Sequence, residues 1–193
     1  MDQIEGNTLP AAIGSADKDR RVRLDRLDIR ILAALQSDGR MSNLKLSEMI
    51  GLSPTPCLQR VRRLENAGFI TAYRAILDLR RFASHVTVHT DLTLRRRTLD
   101  QTQSFERYVR SQPNIVECYL VSGGFDYILK IIARDVEHYR EIMEDMLTAE
   151  VGVERFSSFI AMAQIKEDSI FPLTTLQPNL APAHSSGRQI RRG

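Results

Sequence analysis

From Leu24 onward the apolar positions recur at helical spacing. Leu24, Leu27, Ile31 and Leu35 share one side, with Asp25 placed as N-cap and Gly39 just past the end. A second helix starts after Ser42, with Leu44, Leu46 and Met49 or Ile50 apolar, and stops at Gly51. A third opens with Ser53 as N-cap and Pro54 at the first helical position, where its missing N–H costs nothing, and runs to Ala67 before Gly68. The second and third helices are joined only by Gly51-Leu52, which makes this a helix-turn-helix pattern.

Phe69 to Leu77 is rich in β-branched and aromatic residues and predicts a strand pair or wing. After Phe82 the pattern changes. His85 to Leu94 has strand composition, and Thr98 to Ser111 predicts a helix with Thr98 and Gln101 as a capping box. Ile115 to Val121 and Tyr127 to Ala133 are apolar strands around the turn Ser122-Gly123-Gly124-Phe125-Asp126. Asp135 caps a helix with Val136, Tyr139, Met143, Met146 and Leu147 on one face, and Val153 to Ile165 is a last strand. The fold class expected is α+β: an N-terminal winged helix-turn-helix followed by a ferredoxin-like βαββαβ domain. An antiparallel sheet with both helices on one face leaves the other face to be covered, and a second copy would serve. The domains read as an N-terminal arm over 1–20, a DNA-binding domain with hinge strand over 21–82, a sensing and assembly domain over 83–171, and a flexible basic tail over 172–193.

Charge supports the division. Residues 21–82 carry twelve Lys/Arg against six Asp/Glu, while residues 83–171 carry ten against fourteen, so the first block suits a polyanion. No apolar run approaches a membrane span, the first twenty residues lack the core of a secretory signal, and Cys57 and Cys118 form no CxxC pair. A cytoplasmic protein with two reduced thiols is expected. Enzyme readings fare poorly. His85 and His89 sit in a strand, ~13 Å apart at ~3.3 Å per residue, too far for one zinc. No GxSxG, Walker A or GxGxxG motif occurs, so no catalytic residue, metal or cofactor is expected. The Arg95-Arg96-Arg97 run reads as a solvated loop.

On the third helix Cys57, Val61 and Leu64 form the inward stripe. Thr55, Gln59, Arg62, Arg63 and Asn66 lie opposite, with Arg60 at the flank. Arginine can bond guanine bidentately and glutamine or asparagine can pair adenine, so this face suits a major groove. The competing reading is a surface helix kept soluble by its arginines. The motifs Leu24-Asp25-Arg26-Leu27-Asp28, Leu35-Gln36-Ser37-Asp38-Gly39-Arg40 and Gly51 to Glu65, with Glu117 to Tyr127 further on, resemble the Lrp/AsnC family of regulators from Leu24 to Lys166.

That resemblance implies a winged helix-turn-helix and an amino-acid-binding domain, dimers formed through the sheets, and tetramers, octamers or larger rings. It implies double-stranded operator DNA and an amino acid, leucine for example, as partners, and no membrane. The DNA-binding set it implies is Ser53, Thr55, Gln59, Arg60, Arg62 and Arg63; the effector-binding set is Gly123, Gly124, Asp126, Tyr127 and Ser158. Ser158 stands where relatives often carry Thr, and Phe156 and Glu150-Val151-Gly152 also depart from them, which leaves the effector open. Independently of the family, Gly123 and Gly124 allow positive φ and expose N–H groups to a carboxylate, and Asp126 could accept from an ammonium group. An ordinary hairpin turn is the alternative. The function expected is sequence-specific transcription regulation of amino-acid metabolism. The alternatives are a regulator without an effector, and a ferredoxin-like ligand-binding protein with a vestigial DNA domain.

Overall fold

The computed structural model describes residues 23–166 and 170–176. They form two compact units, each described on its own. The first contains α1 (Arg26–Ser37), α2 (Asn43–Ile50) and α3 (Pro54–Asn66). Asp25 and Asp28 build a reciprocal cap on α1: each carboxylate accepts the other's backbone N–H at 2.9 Å. Ser42 accepts from the Lys45 N–H at the start of α2, and Gly51 ends that helix at φ +81°. Ser53 occupies the cap position of α3, but its side chain makes no capping bond.

Ile31, Ala34, Leu46, Ile50, Cys57, Val61 and Leu64 form the core of this unit, with the expected α3 stripe inside it. Leu44, one of the apolar positions of α2, is exposed, because the Leu46 and Ile50 side faces the bundle. Of the strand pair or wing expected over 69–77, no strand pair forms. The N–H groups of Phe69 and Ile70 bond the Leu64 carbonyl and close the end of α3, and 71–78 forms neither helix nor strand.

The second unit contains α4 (Leu79–Phe82), β1 (Val86–Leu94), α5 (Leu99–Ser111), β2 (Ile115–Leu120), β3 (Tyr127–Ala133), α6 (Val136–Thr148) and β4 (Val153–Ile160). The sheet is antiparallel throughout in the order β2-β3-β1-β4, the ferredoxin-like arrangement. Strand alternation decides the core. Val88, Thr90, Leu92 and Leu94 of β1 and Tyr127, Leu129, Ile131 and Ala133 of β3 are buried together with Phe105 and Val109 of α5 and Tyr139, Ile142, Met143 and Met146 of α6. Val136 and Leu147, expected on the inner face of α6, are exposed, and Ile142 takes their place. On the opposite sheet face Tyr119 and Phe159 are 58% and 60% exposed.

β4 stops at Ile160 rather than 165 because its partner runs out: Val88 pairs with Ile160, and Ala161 N–H makes one last bond to the Thr87 carbonyl. Thr98 caps α5 by position only, and Gln101 accepts instead from the Arg96 N–H at 2.9 Å. The last described segment, with α7 (Leu173–Leu176), belongs to the helical unit. Gln36 of α1 donates to the Phe171 carbonyl at 3.0 Å and accepts from the Phe171 N–H at 3.1 Å. By contact the sheet unit runs over the described residues 77–165, and Lys166 and 170–176 go with the helices. The arm expected over 1–20, and the part of the tail expected over 172–193 that follows 176, lie outside the described residues.

Candidate DNA-reading face and effector turn

Burying Cys57, Val61 and Leu64 obliges α3 to present its other side, and Ser53, Thr55, Gln59, Arg62 and Asn66 are exposed there. Gln59, Arg62, Arg63, Asn66 and Ala67 line a shallow hollow of about 460 Å³. The entry of α3 is held from both preceding helices. Asn43 Nδ2 donates to the Pro54 carbonyl at 2.8 Å, while Arg30 of α1 donates to the Met49 and Ile50 carbonyls at 2.8 and 3.0 Å, tying off the end of α2.

Arg60 and Arg63 are engaged within the chain. Arg60 Nη1 lies 2.7 Å from Asp25 and 2.8 Å from Asp28, and Arg63 Nη2 lies 2.5 Å from the other Asp28 oxygen. Asp28 is fully buried. Partial burial pushes the Asp25 carboxyl up, but the Asp28 N–H and the Arg60 guanidinium outweigh it and hold Asp25 below its ordinary value. Asp25, and then Asp28, raise Arg60 in return, against the lowering effect of its own burial. The residue this reveals is Asp28. Its signal was present in the sequence, since it sits four after Leu24 and three before Ile31, a carboxylate on the apolar stripe of α1.

The expected effector residues divide between surface and interior. Gly123 has φ +146°, open only to glycine, whereas Gly124 does not have positive φ; its carbonyl accepts from Arg155 Nη2 at 3.0 Å. Asp126 has a side chain only 8% exposed. One of its oxygens accepts the Leu94 N–H at 2.8 Å and the other lies 2.7 Å from Arg97 Nε. Arg97, expected in a solvated loop, therefore anchors the turn. Tyr127 is in the core against Phe105, ring centroids 4.7 Å apart, and its hydroxyl donates to Glu106 at 3.3 Å. Burial, then the Glu106 charge, push that hydroxyl far above its ordinary pKa. Ser158 turns toward α6 and shares a hydrogen bond with the Tyr139 hydroxyl, which bonds Thr90 at 2.9 Å. Among the described residues no group of three or more His, Cys, Asp or Glu side chains comes together, and no helix is long and apolar enough to cross a membrane.

A helix-turn-helix with an exposed polar third helix, followed by a ferredoxin-like unit, is the architecture of a DNA-binding transcription regulator with a ligand-binding domain. Residues 24–71 match the winged helix-turn-helix DNA-binding model, and residues 87–171 match the Lrp/AsnC ligand binding domain. The chain belongs to the Lrp/AsnC family. It is 41% identical over 152 residues to the leucine-responsive regulatory proteins of Escherichia coli K12 and Salmonella typhimurium, covering 79% of this chain and 93% of each of those. Among solved structures it resembles a Neisseria meningitidis transcriptional regulator in complex with L-methionine, at 32% identity and a TM-score of 0.74 over 80% of this chain and 99% of that one. An Agrobacterium tumefaciens AsnC family regulator aligns with TM-score 0.75 at 33% identity, over 79% and 99%. The relatives named here are transcriptional regulators rather than enzymes.

Proposed function

We propose that this cytoplasmic regulator reads operator DNA through α3 and controls genes of amino-acid metabolism in response to an amino acid. The observation that carries the DNA reading is the face of α3 on which Thr55, Gln59, Arg62 and Asn66 stand exposed opposite a buried stripe. Ser53, with its hydroxyl outside any capping bond, stands at the helix N-terminus, where backbone N–H groups favour a phosphate. Arg60 and Arg63 add their remaining N–H groups at the edge of this face. Copies associate through the open face of the sheet, where Tyr119 and Phe159 would leave water, giving dimers and then larger assemblies.

The amino acid would lie near the Gly123-Gly124 turn. The L-methionine complex of the Neisseria relative supports that ligand class. Tyr127, turned inward, would shape the site from beneath rather than touch the ligand, while Ser158, exposed on β4 and bonded to the Tyr139 hydroxyl, would stay open to it. One observation favours a regulator that needs no effector: the Asp126 carboxylate is already bonded to Leu94 and Arg97.

Two measurements test the proposal. By fluorescence anisotropy on a duplex selected from a random library with the full chain, Arg62→Ala raises Kd by roughly 5- to 150-fold, the equivalent of ~1–3 kcal/mol. A thermal-shift screen over the twenty amino acids finds one that raises the melting temperature with concentration. No shift from any of them leaves the effector-free reading.

A further inference from the structure

We propose that Asp28, which touches no DNA, is a specificity-determining positioning residue: it holds Arg60 and Arg63 of the reading helix so that neither is a freely moving cation. The proposal rests on the reading of α3 as the DNA-facing helix. α3 carries three arginines, and their surroundings differ. Among the described residues Arg62 has no carboxylate partner, while Arg60 and Arg63 both end on the same buried carboxylate, with Asp25 as a second hold on Arg60. Asp28 is itself fixed, since it closes the α1 cap by accepting the Asp25 N–H.

The two arginines are not sequestered. Their side chains remain 28% and 41% exposed, and Arg63 lines the hollow beside Gln59 and Arg62. A guanidinium has five N–H donors in a rigid fork, so one bonded to Asp28 still presents others, now in a single orientation. A mobile arginine pairs with any phosphate and strengthens binding to every sequence alike. An arginine held by a buried acid keeps its direction, and its charge is largely compensated. The held state thus favours the correct duplex at the expense of all others.

The experiment is a salt series of anisotropy titrations with the full chain, using the selected duplex and a scrambled duplex of equal composition. The chains compared are wild type, Asp28→Asn, Asp25→Asn and Arg62→Ala. Asn at 28 keeps the side-chain volume and a cap acceptor but loses the charge. Asp28→Asn should lower the ratio of selected to scrambled affinity by about tenfold. It should also steepen the slope of log affinity against log salt on scrambled DNA by up to ~1.8, about 0.9 for each freed arginine. Asp25→Asn, at a half-exposed site where Asn caps as well as Asp, removes the second hold on Arg60 and leaves Asp28 as the only one, so ratio and slope should move the same way by a smaller amount, the slope by less than ~0.9. It decides the matter if Asp28→Asn does not fold.

If Arg62→Ala weakens binding while the aspartate variants lose affinity for both duplexes equally, with ratio and slope unchanged, Asp28 is only a structural ion-pair partner and the proposal is overturned. If Arg62→Ala changes neither affinity, α3 is not the reading helix, and the underlying reading fails with it.

Discussion

Each unit of the molecule contains one buried aspartate gripped by arginine and by a backbone N–H, and the two do different work. Asp28 lies inside the helical unit and accepts arginines from α3, thirty-two and thirty-five residues away, so it fixes side chains on the surface proposed to meet DNA. Asp126 lies at the base of a turn and accepts the Leu94 N–H and Arg97, so it fixes backbone. The guanidiniums on Asp28 keep donors free at the surface. Both acids use both carboxylate oxygens, but on Asp126 one oxygen is given wholly to the backbone N–H of Leu94. A buried acid can therefore orient side chains of a distant helix or stabilise a loop, and the difference lies in whether its partners come from another element or from the turn's own neighbourhood.

The largest effect expected from breaking this contrast comes from removing both cations in the first unit. Arg60→Ala with Arg63→Ala leaves the Asp28 carboxylate buried and unpaired, and should destabilise by about 3–5 kcal/mol. Urea unfolding measures it. The two free cysteines report which unit opens, since Cys57 is in the helical core and Cys118 in the sheet unit. Alkylation of Cys57 should accelerate and that of Cys118 should not; equal acceleration at both would mean that the units unfold as one.

Asp126→Ala is the mirror experiment and smaller. It leaves the Leu94 N–H without its acceptor and should cost about 1–3 kcal/mol, since Arg97, well exposed, returns to water. Here Cys118 alkylation should rise and Cys57 should stay protected. Asp126→Asn, which keeps an acceptor for Leu94, should recover part of the loss. If Asn costs as much as Ala, the Arg97 pair rather than the backbone bond holds the turn.

The smallest effect is a titration. Burial, and secondarily the Glu106 charge, push the Cys118 thiol up to about 11. A raised folded pKa favours the neutral thiol, so this contribution is fully present below the unfolded thiol's pKa and is lost as pH rises through about 11. Alkylation of Cys118 in the folded protein should follow that higher value and shift down to the ordinary thiol range in urea. A folded profile in the ordinary range would place Cys118 in water.

Much of the architecture was legible in the chain because periodicity and capping are local. The stripe of Cys57, Val61 and Leu64, the Asp25, Ser42 and Asp135 caps, the stop at Gly51 and the alternation along β1 and β3 depend on neighbours within a few residues. The same locality misled at Thr98 and Gln101. Their spacing suits a capping box, but Gln101 bonds Arg96 instead. It also misled over 69–77, where strand composition met no partner strand.

The sequence by itself determined the helix-turn-helix, the ferredoxin-like fold that follows it and the family. Tertiary structure alone decided which polar side chains on those elements are already engaged. Thr55, Gln59 and Arg62 look outward from α3, whereas Arg60 and Arg63 turn back to α1. In the second unit Asp126 and Tyr127 face inward beneath an exposed glycine turn, and Ser158, itself exposed, is bonded to Tyr139. The reason is physical. Burial follows the short repeat of a helix or strand, but a charged or hydroxyl group takes the partner that the fold brings within about 3 Å, and no local spacing records that partner.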